Sequence, residues 1–232
     1  MMATLLLRLA APMQSWGRDS KFEIRKTDRE PTKSGVVGLL AAALGLRRDE
    51  EKALQRLNCL HFGVRVDQEG KLLPDYQTVK KVGKSKSEST SYVTWRYYLS
   101  DAIFLVGLES EDIDFLTELN NALQTPVFPL FLGRRSCPPT LPLCLGIRES
   151  GLEQTLREEP LLVPAWKKKS AAPVRLVLDA APQEGAYRQD LPISFSPLHR
   201  QFGYRAAKEI RVDLSKIVPE TQHDPFVELG DD

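Results

Sequence analysis

Short apolar runs alternate with longer stretches of helical spacing along this chain. Thr4 to Ala10 is apolar at nearly every position and stops before Pro12, so it predicts a buried strand, too short for a helix. The polar run from Gln14 to Glu30 predicts a connection longer than a compact domain keeps without a purpose. Pro31-Thr32-Lys33-Ser34 starts a helix, and the run Val36 to Leu46 behind it is apolar nearly all round, as a buried helix requires. Gly38, Ala41, Ala42 and Gly45 give that helix a small-residue face for another backbone. Asp49-Glu50-Glu51 opens a second short helix that ends near Leu57. His61 to Asp67 predicts a strand with Phe62, Val64 and Val66 on its buried face, and Ala102 to Leu108 another. Ser110 is the expected cap of a helix from Glu111 to Leu123, and Leu141 to Ile147 supplies the next strand.

In order, these elements read strand, helix, strand, strand, helix, strand. The fold class is therefore α+β, a ferredoxin-like β-α-β-β-α-β core of the kind RRM-type RNA binders use. The join between the two middle strands, about residues 68–101, is far longer than a hairpin turn and predicts a protruding β-hairpin arm. From Gly151 the pattern weakens, with prolines at 160, 164, 173, 182, 192 and 197. Strands are expected only at Val174 to Leu178 and Ile210 to Leu214 in this less regular C-terminal part. The expected organisation is a core domain over 1–150 carrying the arm, and a C-terminal extension over 151–232 packed on it.

Composition changes this picture mainly through local charge. The 232 residues carry a net charge of only +1, so nucleic-acid or membrane binding has to come from a patch. One patch is the arm, with Lys80, Lys81, Lys84, Lys86 and Arg96 against the single acid Glu88. The tail over 217–232 is the reverse, with Glu220, Asp224, Glu228, Asp231 and Asp232 and neither lysine nor arginine. Three irregularly spaced cysteines, Cys59, Cys137 and Cys144, suit neither a disulfide framework nor a zinc site. Leu5-Leu6-Leu7 is too short for a signal peptide or a membrane span, and a soluble cytoplasmic protein without cofactor or metal is expected.

Three segments carry candidate chemistry. In Gly133-Arg134-Arg135-Ser136, followed by Cys137-Pro138-Pro139, a glycine and two prolines force a tight loop that displays both guanidiniums. Guanidinium is the side chain best matched to phosphate, although a solvated turn explains the segment equally well. The arm adds Tyr76 and Tyr92, Trp95, Tyr97 and Tyr98 to its lysines, the mixture that binds single-stranded nucleic acid. Trp95 and one of these tyrosines are assigned to the sheet core. The third segment pairs Gln14-Ser15-Trp16-Gly17 with Lys33-Ser34-Gly35, where a lysine, a hydroxyl and helix N-terminal amides make an anion site. Trp16 can stack on a base or fill the core, with the balance slightly to the core. No nucleophile elbow exists, and His61, His199 and His223 adjoin no predicted nucleophile.

Several segments, in order, resemble one family. They are Leu7 to Gly17, with Leu7-Arg8-Leu9-Ala10-Ala11-Pro12-Met13-Gln14-Ser15-Trp16-Gly17, then Pro31 to Leu40, Asp75 to Val79, Thr94-Trp95-Arg96 with Tyr98 to Ala102, Leu132 to Pro138, and Arg200-Gln201-Phe202. Together they resemble the Cas-five family of CRISPR Cascade subunits, in its type I-E branch, and reach to about Arg205. The resemblance implies an RNA-binding RAMP protein with a hairpin thumb, here Lys80 to Thr90, and a glycine-rich loop, here Gly133 to Ser136. It implies a protein that caps the 5′ handle of the crRNA between a CasC-type backbone subunit and a CasA-type large subunit, meeting target DNA through the complex. Some relatives cut precursor crRNA without metal, using tyrosine, lysine and histidine. With no histidine in the thumb region or the glycine-rich loop, the expectation is a non-catalytic binding subunit, and a metal-independent endoribonuclease is the alternative.

Overall fold

The computed structural model describes residues 2–17, 23–81, 90–163 and 173–213. Lys84, Lys86 and the acidic tail over 217–232 lie outside the described residues. The first strand, β1 (Ala3–Ala10), sends Leu5, Leu7 and Leu9 into one core and Leu6 into a second, which is why the segment is apolar without a break. Two short strands, β2 (Met13–Gln14) and β3 (Ile24–Arg25), lie in the polar run. Helix α1 (Lys33–Leu44) starts at Thr32, whose hydroxyl accepts from the Gly35 N–H at 3.2 Å, and ends at Gly45, with φ of 76°. Then come α2 (Glu51–Asn58), β4 (His61–Gln68), β5 (Lys71–Lys81), β6 (Thr90–Ser100), β7 (Ile103–Ser110) and α3 (Ile113–Gln124). The cap of α3 is Asp112 rather than Ser110: its carboxylate accepts from Phe115 N at 2.9 Å, while the Ser110 hydroxyl accepts from Asp112 N. The chain continues through β8 (Cys144–Arg148), α4 (Leu152–Glu158), β9 (Val174–Asp179), β10 (Ala186–Ser194) and β11 (Gln201–Val212).

Seven strands form one sheet in the order β10-β11-β9-β4-β7-β1-β8, and the smaller sheet holds β2, β6, β3 and β5. The pairings β8-β1, β1-β7 and β7-β4 are all antiparallel, consistent with a ferredoxin-like architecture. One face carries the large core, with Leu40 of α1, Leu57 of α2 and Leu116 and Leu119 of α3 against Leu7, Phe62, Val64 and Phe104. The small-residue end of α1 takes a neighbouring backbone, as expected: Val127 N and Phe128 N donate to the carbonyls of Ala43 and Ala42. The opposite face is covered by α4, which the sequence pattern did not predict. Leu152 and Leu156 seat against Gly63 and Gly107, which face each other across β4 and β7. A Cβ on Gly107 would lie 2.5 Å from Leu152, and one on Gly63 would lie 2.9 Å from Leu156, so only glycine lets the helix come this close.

The C-terminal part is more regular than its prolines suggest, because β9, β11 and β10 extend the main sheet beyond β4. Pro192 lies in β10, an edge strand, beside an irregularity of register, where its missing N–H breaks no ladder. Ion pairs tie this half to the rest. Arg65, fully buried, pairs with Asp67 and donates to the carbonyls of Leu156, Glu159 and Pro160. Lys33 bonds Asp179 at 3.0 Å, Arg205 bonds both Asp179 and Asp190, and Asp190 accepts from Lys33 N. Glu30, also buried, takes Arg188 and Arg175.

Burial pushes the Glu30 carboxyl upward, but Arg188 and then Arg175 outweigh it and hold it below its ordinary 4.5. A carboxylate depressed in the folded state contributes stability above its unfolded pKa and loses it as pH falls through the folded value. Glu30→Gln should therefore lower the urea midpoint near neutral pH, and the gap to wild type should narrow as pH falls below 4.5. A gap that stays constant over that range would show that Glu30 ionisation does not hold these strands.

Candidate nucleic-acid interface

The glycine–arginine loop is pinned at both ends. Leu132 and Cys137 are buried, Leu132 N bonds Cys137 O at 2.7 Å, and Cys137 N bonds Arg134 O at 2.9 Å. Burial pushes the Cys137 thiol above its ordinary value, so it serves as a protonated anchor. Ser15 N donates to Leu132 O, fixing the loop to the end of β2. Gly133 has φ of +84°, and a Cβ there would lie 1.7 Å from the Ser15 carbonyl oxygen. Any side chain at 133 must push this loop off β2.

The two arginines are not equivalent. Arg135 is exposed, as is Ser136, whereas Arg134 folds back. Its guanidinium lies 4.7 Å from the Tyr98 ring centroid, and Nη2 donates to Arg25 O at 2.9 Å. The expectation that both guanidiniums stand free is thus corrected: the loop is short enough that Arg134 meets the root of the arm. Among the described residues, its Nη1 and the Nε of Arg96 are buried donors with no hydrogen-bond partner.

Residues 23–28 strap the loop to that root. β3 pairs in parallel with β6, matching Arg25 to Arg96, and Trp95 N donates to Glu23 O at 2.7 Å. Asp28 N donates to Trp16 O, and Trp16 N to Thr27 Oγ1. This strap explains the long polar connection. Between it, the loop and the end of the β10–β11 turn lies an open cleft of about 380 Å³, lined by Ser15, Gly17, Arg25, Lys26, Gly133, Arg134 and Arg200. Among the described residues that line it, Arg25, Lys26, Arg134 and Arg200 are cationic, which concentrates positive potential in a concave site.

Other predicted residues divide between scaffold and arm. Gln14 and Trp16 are buried: Trp16 Nε1 donates to Gln14 Oε1, and Gln14 Nε2 to the carbonyls of Leu9 and Ala102. Lys33 is buried as well, its ammonium on Leu60 O and Asp179. The amide of the α1 N-terminus expected to bind a ligand anion is taken by the protein's own Asp190. These three residues are corrected from RNA contacts to scaffold, because a desolvated, fully bonded group has nothing left to offer a ligand. Ser34 is half-buried, its hydroxyl 3.4 Å from that of Thr32. The segments holding Trp16 and Lys33 do meet, since a Cβ on Gly35 would strike the Trp16 ring at 2.8 Å.

In the arm, β5 and β6 pair continuously from Lys71↔Ser100 to Lys81↔Thr90. Tyr98 is core, as one tyrosine was expected to be, but Trp95 is 38% exposed and packs edge-on against the exposed Tyr76, centroids 5.0 Å apart. Here the arm has left the main sheet, and among the described residues no second apolar layer covers that ring. Tyr92 and Lys80 are exposed too. Arg25, Lys26 and Arg200 are the residues that sequence reasoning missed. The unexplained length of the polar run pointed to the first two, and the Arg200-Gln201-Phe202 resemblance to the third.

The sequence profile of the family described as CRISPR-associated protein (Cas_Cas5) matches residues 4–208. The CRISPR system Cascade subunit CasD of Escherichia coli (strain K12) is 42% identical over 161 residues, covering 63% of this chain and 71% of that one. A chain in the solved structure of a CRISPR RNA-guided surveillance complex superposes with a TM-score of 0.79 at 31% identity, over 97% of both chains. A crystal structure of a Cas protein superposes at 0.72 with 40% identity, over 93% of this chain and 97% of that one. Fold and loop together define a RAMP-type protein. The chain belongs to the CRISPR-associated Cas5 family, and its likeness within that family is to CasD-type Cascade subunits. Among the described residues, no helix is long and apolar enough to cross a membrane.

Gly133→Ala should cost more than about 1 kcal/mol, since alanine tolerates neither the positive φ nor the contact with Ser15. A thermal melt of the variant checks this, and an unchanged midpoint would show that the loop can stand off β2 without loss.

Proposed function

We propose that the protein is the RNA-binding Cascade subunit that caps the 5′ handle of the crRNA. In this reading it sits between a CasC-type backbone subunit and a CasA-type large subunit, and contributes to antiviral defence by holding the guide for target DNA. The observation that carries the reading is the cationic cleft of Arg25, Lys26, Arg134 and Arg200, built around the loop through which the family resemblance runs. Arginine suits phosphate through paired N–H donors, and each phosphate neutralised releases counterions. The hairpin of β5 and β6 is the thumb, and its exposed Tyr76, Tyr92 and Trp95 give flat surfaces to unstacked bases at the handle–spacer junction.

Arg25→Ala and Arg134→Ala should each weaken binding of the repeat RNA about tenfold, and together should lower the salt slope by roughly one to two. Fluorescence anisotropy over a salt series, with melting curves as a folding control, measures both. Binding with an unaltered slope would place the RNA elsewhere.

The protein is further proposed to bind RNA without cutting it. Metal-free cleavage needs a base for the 2′-hydroxyl and an acid for the departing oxygen, both poised near the working pH. Among the described residues the cleft is lined by arginine, lysine, serine and glycine, and guanidinium as a group is a poor proton shuttle. Repeat RNA incubated with the pure protein in EDTA should stay intact. A single discrete cut at the base of the handle, lost on mutating Tyr76, Lys80 or His199, would favour the nuclease instead.

A further inference from the structure

The two faces of the arm differ at its root. Side chains alternate between the faces of a strand, so Arg96 and Tyr98 of β6 share one, about 6–7 Å apart along the chain. Asp75 and Leu73 of β5 lie opposite them on that face, while Tyr76 and Trp95 pair on the other. The Arg134 guanidinium reaches in from the glycine loop and lies over the Tyr98 ring, 4.7 Å from its centroid. Its Nη2 donates to the carbonyl of Arg25, the residue matched to Arg96 across β3 and β6. Two arginines from distant segments thus stand at one tyrosine, one beside it on the strand and one over its ring.

Among the described residues, three buried side-chain nitrogen or oxygen atoms lack a hydrogen-bond partner, and two of them are Arg96 Nε and Arg134 Nη1. A buried donor on a charged group is costly to leave without an acceptor, and native proteins leave few. The buried Arg65 and Arg205 show the usual arrangement, with carboxylates or carbonyls on their nitrogens. The carboxylate opposite Arg96, that of Asp75, accepts from Gln77 Nε2 at 2.7 Å instead. Both open donors call for an anion with several oxygens. Arg134 also lines the cationic cleft, so such a group reaches them from there.

We infer that Arg96 and Arg134 form a phosphate fork at the root of the arm, holding one phosphate of the RNA. The Nε and neighbouring Nη of a guanidinium present two parallel N–H groups to two phosphate oxygens, and Arg96 offers this edge while Arg134 adds Nη1. The fork rests on the RNA-binding reading. It adds Arg96, which lies outside the cleft lining, and carries the RNA path from the cleft onto the Arg96–Tyr98 face of the arm.

The test titrates labelled repeat RNA, made with a 5′-phosphate or a 5′-hydroxyl, over a salt series, with a melting curve for each protein. The proteins are wild type, R96A, R96K, R134A, the R96A/R134A double variant, R25A and R211A. Arg211 is exposed near the far end of β11 and serves as the control. R96A should bind about five- to twentyfold more weakly with a salt slope lower by about one, and R211A should match wild type. R96K keeps the charge without the Nε donor, so it should recover the slope yet stay about three- to tenfold weaker. The double variant should lose less than the product of the single losses, because both arginines serve one phosphate. Equal losses with both RNAs identify an internal phosphodiester, and a loss confined to the 5′-phosphorylated RNA identifies a terminal phosphate. Full affinity in R96K would reduce Arg96 to a point charge and overturn the fork. If Arg96 only props the arm, R96A and R96K melt lower and bind RNA as wild type does, which also overturns it. Wild-type RNA binding by both Arg96 variants, with loss of the partner subunits that wild type retains on co-purification, would assign the open donors to a partner's carboxylate and overturn the phosphate. In those last two cases an impaired R25A leaves the RNA-binding reading standing. Failure of wild type to bind either RNA would overturn both.

Discussion

The buried ion cluster at the start of α1 holds the two ends of the chain in register. Lys33 reaches Asp179 at the end of β9, Arg205 of β11 bridges Asp179 and Asp190, and Asp190 of β10 accepts from the α1 N-terminus. Burial by itself would lower the Arg205 pKa, but Asp190 and Asp179 outweigh it and hold the guanidinium charged. Desolvation of such a cluster consumes most of its attraction, so its net contribution to stability is small, but removing one member costs about 3–5 kcal/mol. Its value is geometric. It fixes the added strands against α1, α1 holds Trp16 through Gly35, and the Trp16 bracket carries Ser15, on which the Gly133 loop rests. Arg200 at one end of that chain of contacts and Arg134 at the other thereby face one cleft.

The cleft works by the same electrostatics turned outward. Inside, each of these arginines meets carboxylates: Arg65 has Asp67, Arg188 has Glu30, and Arg205 has two aspartates. At the cleft, Arg134 and Arg200 lie on Tyr98 and Phe202 instead. An aromatic face orients a guanidinium without neutralising it, so the charge remains available to a phosphate. The same device appears twice, on the loop before β8 and on the turn before β11.

The arm follows a different rule. A hairpin that leaves the main sheet has no apolar layer to lie on, so Tyr76, Tyr92, Val93 and Trp95 stay exposed along it. Its root is secured along the edge of β6 opposite β5, by β2 at Leu99 and Ser100 and by the 23–28 strap at Trp95 and Arg96. Arg134, on Tyr98 and the Arg25 carbonyl, links that root to the cleft, so arm and loop share one mechanical base.

Local pattern by itself determined the main strands and helices of the first 150 residues, though not β2 and β3, because their apolar periods are written in adjacent positions. It also determined that Gly133 begins a constrained loop and that charge is concentrated in the arm. What it could not determine was partnership across distance. Lys33 reads as a ligand-binding lysine at a helix start until Asp179 pairs with its ammonium and Asp190 takes its backbone N–H, each about 150 positions away. Trp95 reads as core until the hairpin leaves the sheet, and Pro192 reads as a strand breaker until β10 proves to be an edge. Arg25 and Arg200 look like unremarkable surface charge until β3 pairs with β6 and β11 joins the sheet. Local propensity and burial period depend on near neighbours, whereas the pairing of a charge, or the lack of it, depends on which distant segments the sheet brings together. The same physical reason made the core legible in the sequence and left the cleft to the tertiary structure.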